Sequence, residues 1–278
     1  MYNLTVRGHD LSGLQSHNRM DLPAKIRKVG IHNVQLALAM SFPEIPSGKE
    51  HLSPGFGTYI KNSFMQEEVQ IAILSCYINM IHPNEEVREE VLQKFESYLK
   101  YAKYFGASMV ASETGNVLEE IVYTEKNFTS EAFEQAVTSI QRLVAYGEKV
   151  GMMVGIEPGL NHPVYSVEKM NEVVQRIDSE YLGVILDATN LITAENYADQ
   201  VSILQQAFTL FGEKIVAIHL KDFVIEDGKV VPTAVGEGLM DVKGMLEVIN
   251  QNKPLINIVL EETKDEKIAQ AKQYIASL

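Results

Sequence analysis

Four apolar stretches of this sequence end on groups able to bind a metal. MVGIEP ends in Glu157, LGVILD in Asp187, and LINIVLEE in Glu261 and Glu262. The fourth, IVAIHLKD at Ile215–Asp222, carries His219, Lys221 and Asp222 at its end. A fully buried strand accepts such polar groups only where it meets solvent, a ligand or one another. If the four strands are parallel neighbours, Glu157, Asp187, His219 and Glu261 gather at one end of one sheet. Three hard oxygen donors and one imidazole suit Mn²⁺ or Mg²⁺, with Co²⁺ and Zn²⁺ as alternatives; the lack of thiolates argues against a structural zinc site. Alone, each residue reads more simply as a cap or a core histidine. Recurrence over four successive strands makes the case for a metal site.

The elements that must position these groups alternate along the chain. Strands are expected at Tyr2–Arg7, Ile31–Leu38, Gln70–Tyr77, Ser108–Ser112, Met152–Glu157, Leu182–Asp187, Ile215–Leu220 and Leu255–Glu261. A polar loop through Asn18 follows the first. Helices are expected at Pro23–Val29, Thr58–Glu68, Ser130–Lys149, Val167–Arg176, Asn196–Phe211, Asp241–Asn250 and Lys264–Ala276. Another runs from the Asn84 cap to Gly106, with Val87, Val91, Phe95, Ala102 and Phe105 near one face. Phe42–Gly57, rich in proline and glycine, reads as a long loop of the kind that is usually functional. Strand–helix alternation demands a parallel sheet with crossover helices. Eight units over residues 1–278 favour one closed (β/α)8 barrel domain. No strand is followed by Gly-x-Gly-x-x-Gly, so a dinucleotide site is not expected.

Composition narrows the partners. With 24 Lys and Arg against 37 Asp and Glu, the net charge of −13 repels phosphate backbones and anionic membranes. No nucleic acid and no membrane partner is expected, and no apolar run nears the ~20 residues of a membrane span. The single cysteine, Cys76, excludes an intrachain disulfide and fits a reducing cytoplasm. His9, Asp10, His17 and Arg19 near the start leave no apolar core for a signal peptide.

IEPG around Glu157, LDATN around Asp187, HLKD around His219, VGEG at Val235–Gly238 and LEE around Glu261 carry a resemblance over nearly the whole chain. The sequence resembles the xylose-isomerase-like TIM barrels, which include ketose 3-epimerases, inosose dehydratase and endonuclease IV. The resemblance implies a divalent-metal-dependent sugar or sugar-phosphate isomerase or epimerase. Glu157, Asp187, His219 and Glu261 would hold one metal, and Glu157 and Glu261 would also move the proton. The chemistry agrees. A C–H beside a carbonyl must lose its proton, a metal stabilises the resulting enediolate, and two carboxylates on opposite faces can invert the centre. The partner implied is a small carbohydrate, and barrels of this kind often pair as homodimers.

One departure stands out. Ketose 3-epimerases and endonuclease IV have a histidine three residues after the strand-six aspartate, where this chain has Asn190. Asparagine can bond a hydroxyl but cannot shuttle a proton at neutral pH. The 3-epimerase assignment is weakened by this departure; the alternative the resemblance implies is an inosose-type dehydratase on the same site, where HLKD is also at home and a β-hydroxyl leaves from the same enolate. A nuclease with a three-zinc cluster is disfavoured, because no histidine follows His219. A non-catalytic sugar-binding barrel would not require two opposed carboxylates. Substrate contacts are expected from Asn190, Lys221, Asp222, Glu113, His82 and His9. For Glu113, Lys221 and Asp222 a purely structural role, as loop anchor or ion pair, weighs equally. For His82, capping the next helix is the simpler role. His162 is read as a rim residue, Cys76 as a buried thiol, and the Gly236–Gly238 loop as able to close over substrate.

Overall fold

The computed structural model describes residues 2–11 and 21–278. The expected loop through Asn18, with His17 and Arg19, lies outside the described residues from 12 onward. Eight parallel strands close a barrel: β1 (Asn3–Arg7), β2 (Asn33–Ala37), β3 (Gln70–Ser75), β4 (Met109–Glu113), β5 (Met153–Glu157), β6 (Leu182–Asp187), β7 (Ile215–Leu220) and, after a hairpin, β10 (Asn257–Leu260). Closure is made by β1 pairing with β10, from Asn3 opposite Asn257 to Val6 opposite Leu260. The hairpin is β8 (Asp222–Glu226) and β9 (Lys229–Thr233), a separate antiparallel pair.

The helices are α1 (Leu22–Lys28), the short α2 (Leu38–Ser41), α3 (Pro54–Gln66), α4 (Glu85–Phe105), α5 (Ser130–Val150), α6 (Val167–Arg176), α7 (Gln200–Phe211), α8 (Val242–Asn252) and α9 (Glu266–Ser277). Local chemistry sets their ends. The Asn84 side chain accepts the N–H groups of Glu86 and Val87 at the start of α4, and Gly106 stops it at φ 76°. Thr129 and Ser166 cap α5 and α6 in the same way. α3 begins four residues before the expected Thr58, because Ser53 caps it and Pro54 suits its first turn. The stretch before α3 lies along α4, where the Ser47 carbonyl accepts the Tyr98 hydroxyl at 3.0 Å and Lys49 reaches Gln93. The buried face of α4 is made by Leu92, Phe95, Tyr98, Leu99, Ala102 and Phe105, while Val87 is exposed in its first turn.

Two apolar layers follow from strand alternation. Ile73, Met109, Ala111, Ile185, Ala217 and Val259 form a small core inside the barrel. A far larger cluster fills the space between strands and helices. The inner layer floors the barrel, so polar side chains at the C-terminal ends of the strands stand on a dry apolar base.

Candidate metal centre

Glu157 and Asp187 are the last residues of β5 and β6, His219 is the next to last of β7, and Glu261 directly follows β10. Parallel register brings them together. Asp187 lies opposite His219, and the Glu261 N–H bonds the Leu220 carbonyl at 3.0 Å. One potential ligand atom from each of the four lies within 4.8 Å of every other. All four residues are buried, Asp187 completely.

Neighbours hold one oxygen of Asp187, one of Glu157 and both of Glu261. Asp187 Oδ1 accepts the N–H groups of Thr189 and Asn190 at 2.8 and 3.3 Å. The Asn190 amide donates to Glu157 Oε1 at 2.8 Å. Arg7, from β1, donates to Glu261 Oε1 at 3.0 Å and also grips Asp10 and Glu262. The inward atoms are less well served. His219 Nδ1 lies 3.2 Å from Glu157 Oε2 and 3.3 Å from Glu261 Oε1, yet makes no hydrogen bond. Asp187 Oδ2 is 2.9 Å from the Lys221 ammonium at an angle that makes none either. Buried polar atoms without partners are rare and call for an explanation. Two such atoms, ion-paired but without a well-angled hydrogen bond and set in one ring of carboxylates, fit a cation with hard or borderline preferences.

The charges are strongly coupled. Burial disfavours a charged imidazole, but the Glu157 and Glu261 carboxylates outweigh it and push His219 up to about 9. Burial pushes Asp187 up to about 6 against the pull of Lys221. Burial also works upward on Glu261, but Lys221, His219 and Arg7 prevail and hold it well below the usual carboxylate range. Lys221 bonds Glu261 Oε2 at 2.8 Å and is held above its usual range, its burial outweighed by Asp187 and Glu261.

A cavity of about 410 Å³ opens over the cluster. His9, Glu113, Asn190 and Lys221 line it with Glu157 and Glu261, so the structure gathers four of the six expected contact residues beside the candidate cluster. Burial and the Arg7 charge lower His9 to about 4, which keeps it neutral. Glu113, Asn190 and Pro232 also line an adjoining cavity of about 230 Å³. There His162, almost fully buried, sits 3.5 Å from the Glu113 carboxylate. Burial raises Glu113 and His162 outweighs it, so the carboxyl is held low.

Two expected contact residues are placed elsewhere. Asp222 is turned away and anchors a loop: its carboxylate accepts the N–H groups of Phe223, Gly236 and Met240 at 2.8, 3.0 and 2.8 Å. His82 closes the turn before α4, with its ring accepting the Asn84 N–H at 3.1 Å. Gly236, Glu237 and Gly238 are exposed, and both glycines pass close to neighbouring groups. A Cβ on Gly238 would stand 2.2 Å from the Phe223 carbonyl, and one on Gly236 2.8 Å from the Tyr274 ring. Burial pushes the Cys76 thiol up to about 12, as befits an inert core cysteine. Arg7, Gln35 and Tyr77 were not expected at the site. The only signal for them was a polar residue inside a short apolar run. The hairpin, whose Pro232 lines both cavities, had a clear signal in Asp227-Gly228 between two short apolar runs.

Residues 23–278 match the model of the xylose isomerase-like TIM barrel family. The chain belongs to that family. It is 24% identical over 238 residues to the uncharacterized protein MJ1311 of Methanocaldococcus jannaschii, covering 83% of this chain and 75% of that one. Among solved structures, a D-tagatose 3-epimerase-like protein aligns with a TM-score of 0.75 at 19% identity, over 99% of this chain and 96% of that one. A xylose isomerase-like TIM barrel protein from Mycobacterium smegmatis, in complex with magnesium, aligns at 0.74 with 12% identity, over 100% and 96%. Of a xylose isomerase-like barrel fused to a 4-hydroxyphenylpyruvate dioxygenase, this chain spans 42% (TM-score 0.73, 16% identity, 98% of this chain). At these identities the structural likeness shows the fold.

Proposed function

We propose that this protein is a divalent-metal-dependent sugar isomerase or epimerase, with Glu157, Asp187, His219 and Glu261 as ligands and Glu157 and Glu261 as the proton-transfer pair. One observation carries the reading. The two glutamates flank His219 Nδ1 at 3.2 and 3.3 Å from β5 and from the end of β10, with β6 and β7 between them, and both line the same cavity. The donor set favours Mn²⁺ or Mg²⁺. A bound divalent ion supplies electrophilic polarisation of a substrate carbonyl at neutral pH.

The chain's own residues do the rest. Glu261, ringed by Arg7 and Lys221, begins ionised. Glu157 has its outer oxygen fixed by the neutral Asn190 amide and its inner oxygen free to face a C–H. Lys221 stands on the cavity wall, placed to bond a substrate oxygen that gains charge as the proton leaves. Glu157 takes the proton; it can hand the same proton to the neighbouring carbon, which relocates the centre, or a water held by Glu261 can give one to the opposite face, the hydroxide left then recovering the proton held by Glu157, which inverts it. Glu113 and Asn190, shared by the two cavities, would bond hydroxyls of the sugar chain. His9, being neutral, can donate or accept at the rim.

The test is a panel of ketoses and aldoses with Mn²⁺-loaded protein in deuterated water, read by NMR. The reading expects a product of unchanged formula that gains deuterium at the reacting carbon. A product lacking one water would assign a dehydratase to the same residues. No exchange and no product across the panel would contradict the proposal. The charge balance and single buried cysteine also fit a protein of a reducing cytoplasm that acts on small carbohydrates, alone or as a homodimer.

A further inference from the structure

We infer that Gln35 fixes the tautomer of His219 and so selects Nδ1 as its ligating nitrogen. The inference rests on the metal reading above. Gln35 lies on β2 between Val34 and Leu36, and only 1% of it is exposed. A buried primary amide is costly unless both of its ends are bonded. Both are. Its Nε2 donates to the Tyr77 hydroxyl at 3.0 Å, and its Oε1 meets His219 Nε2 at 2.8 Å. The second contact joins strands that are not neighbours, since β1 and β10 lie between β2 and β7. It therefore crosses the barrel interior just beneath the cluster.

The geometry leaves one neutral tautomer compatible with a bound cation. With its proton on Nε2, the ring donates to the Gln35 oxygen, and the Nδ1 lone pair points between Glu157 and Glu261. With the proton on Nδ1, a lone pair would face the Gln35 oxygen at 2.8 Å, and an N–H would block the cluster. Tyr77 holds the far end of the amide, and with the Gln35 oxygen toward the ring, as here, Nδ1 is left free for the cation. A histidine ligand whose second nitrogen is anchored in this way is more basic and better oriented. Glutamine accepts the N–H without adding another negative charge beside three buried carboxylates. Gln35 touches neither cation nor substrate, so it is a positioning residue.

The experiment is ¹⁵N-detected NMR of the histidine rings in the zinc-loaded protein, with zinc affinity measured for wild type, Gln35→Leu and Gln35→Glu. The expected wild-type spectrum shows His219 ligated through Nδ1, with a slowly exchanging proton on Nε2. Gln35→Leu should bind zinc about 10–100-fold more weakly and lose the slow exchange. Gln35→Glu keeps the acceptor oxygen and should bind at least as tightly as wild type. The rings of His9 and His162 should not change in either variant. Ligation through Nε2 in the wild type overturns the inference, and so does wild-type affinity in Gln35→Leu. If the leucine variant does not fold, the wild-type spectrum and the glutamate variant still decide. Wild-type protein that binds no zinc at His219 would instead sink the metal reading, and this inference with it.

Discussion

Lys221 is the side chain whose position has the sharpest consequence. Its ammonium lies 2.9 Å from Asp187 Oδ2 and 2.8 Å from Glu261 Oε2, so it neutralises carboxylates that a metal would also claim. A cation so close opposes a second one. At a few ångströms and an effective dielectric near 20, the repulsion amounts to several kcal/mol before relaxation. Lys221→Met should therefore bind Mn²⁺ at least tenfold more tightly by calorimetry while turnover falls. Weaker binding in the variant would mean that Lys221 builds the site and does not compete for it. The pH dependence follows from His219. Its pKa is raised to about 9 by neighbouring carboxylates, so below that pH a metal must displace a proton. Apparent Mn²⁺ affinity should rise about tenfold per pH unit from pH 7 and level off above about 9. Affinity that is flat from pH 7 to 9 would show that His219 is already neutral in the metal-free protein.

At the scale of elements, the strands that set the four-residue cluster were legible and the parts that support it were not. β5, β6, β7 and β10 could be read because each is an apolar run that stops on a ligand type, and each ends where the run ends. Arg7 and Gln35 were missed because their meaning depends on partners 254 and 184 residues away. The hairpin was not legible from strand–helix alternation, because Asp227-Gly228 joins two strands that pair only with each other and stand outside the barrel. Asp222 shows the same limit. Sequence placed it one residue from Lys221 at a strand end, but only the fold shows its carboxylate bonded to three backbone N–H groups that tie the hairpin to the loop before α8. Asp222→Ala leaves those buried donors without a partner and should cost about 2–4 kcal/mol. Chemical denaturation should show the loss, with Mn²⁺ affinity of the folded protein within a few-fold of wild type. A selective loss of metal binding at unchanged stability would return Asp222 to the site.

For the molecule as a whole, the barrel holds three buried carboxylates against three cationic or protonated neighbours: Arg7, Lys221 and His219. Binding of a divalent ion to the folded state alone adds stability by mass action, about 2.7 kcal/mol at a hundredfold excess over Kd. For a chain of this size that corresponds to a Tm gain of roughly 5–10 °C, and a chelator should reverse it. An unchanged Tm on saturation with Mn²⁺ would argue that the ion also binds the unfolded chain or does not bind at all. Behind every assignment above stands the claim that Glu157, Asp187, His219 and Glu261 hold one divalent cation. Anomalous diffraction from crystals grown with Mn²⁺ tests it most directly. The account expects one peak about 2.0–2.4 Å from carboxylate oxygens of Glu157, Asp187 and Glu261 and from His219 Nδ1. A difference map with no peak among those four residues, and Lys221 still between Asp187 and Glu261, would contradict it.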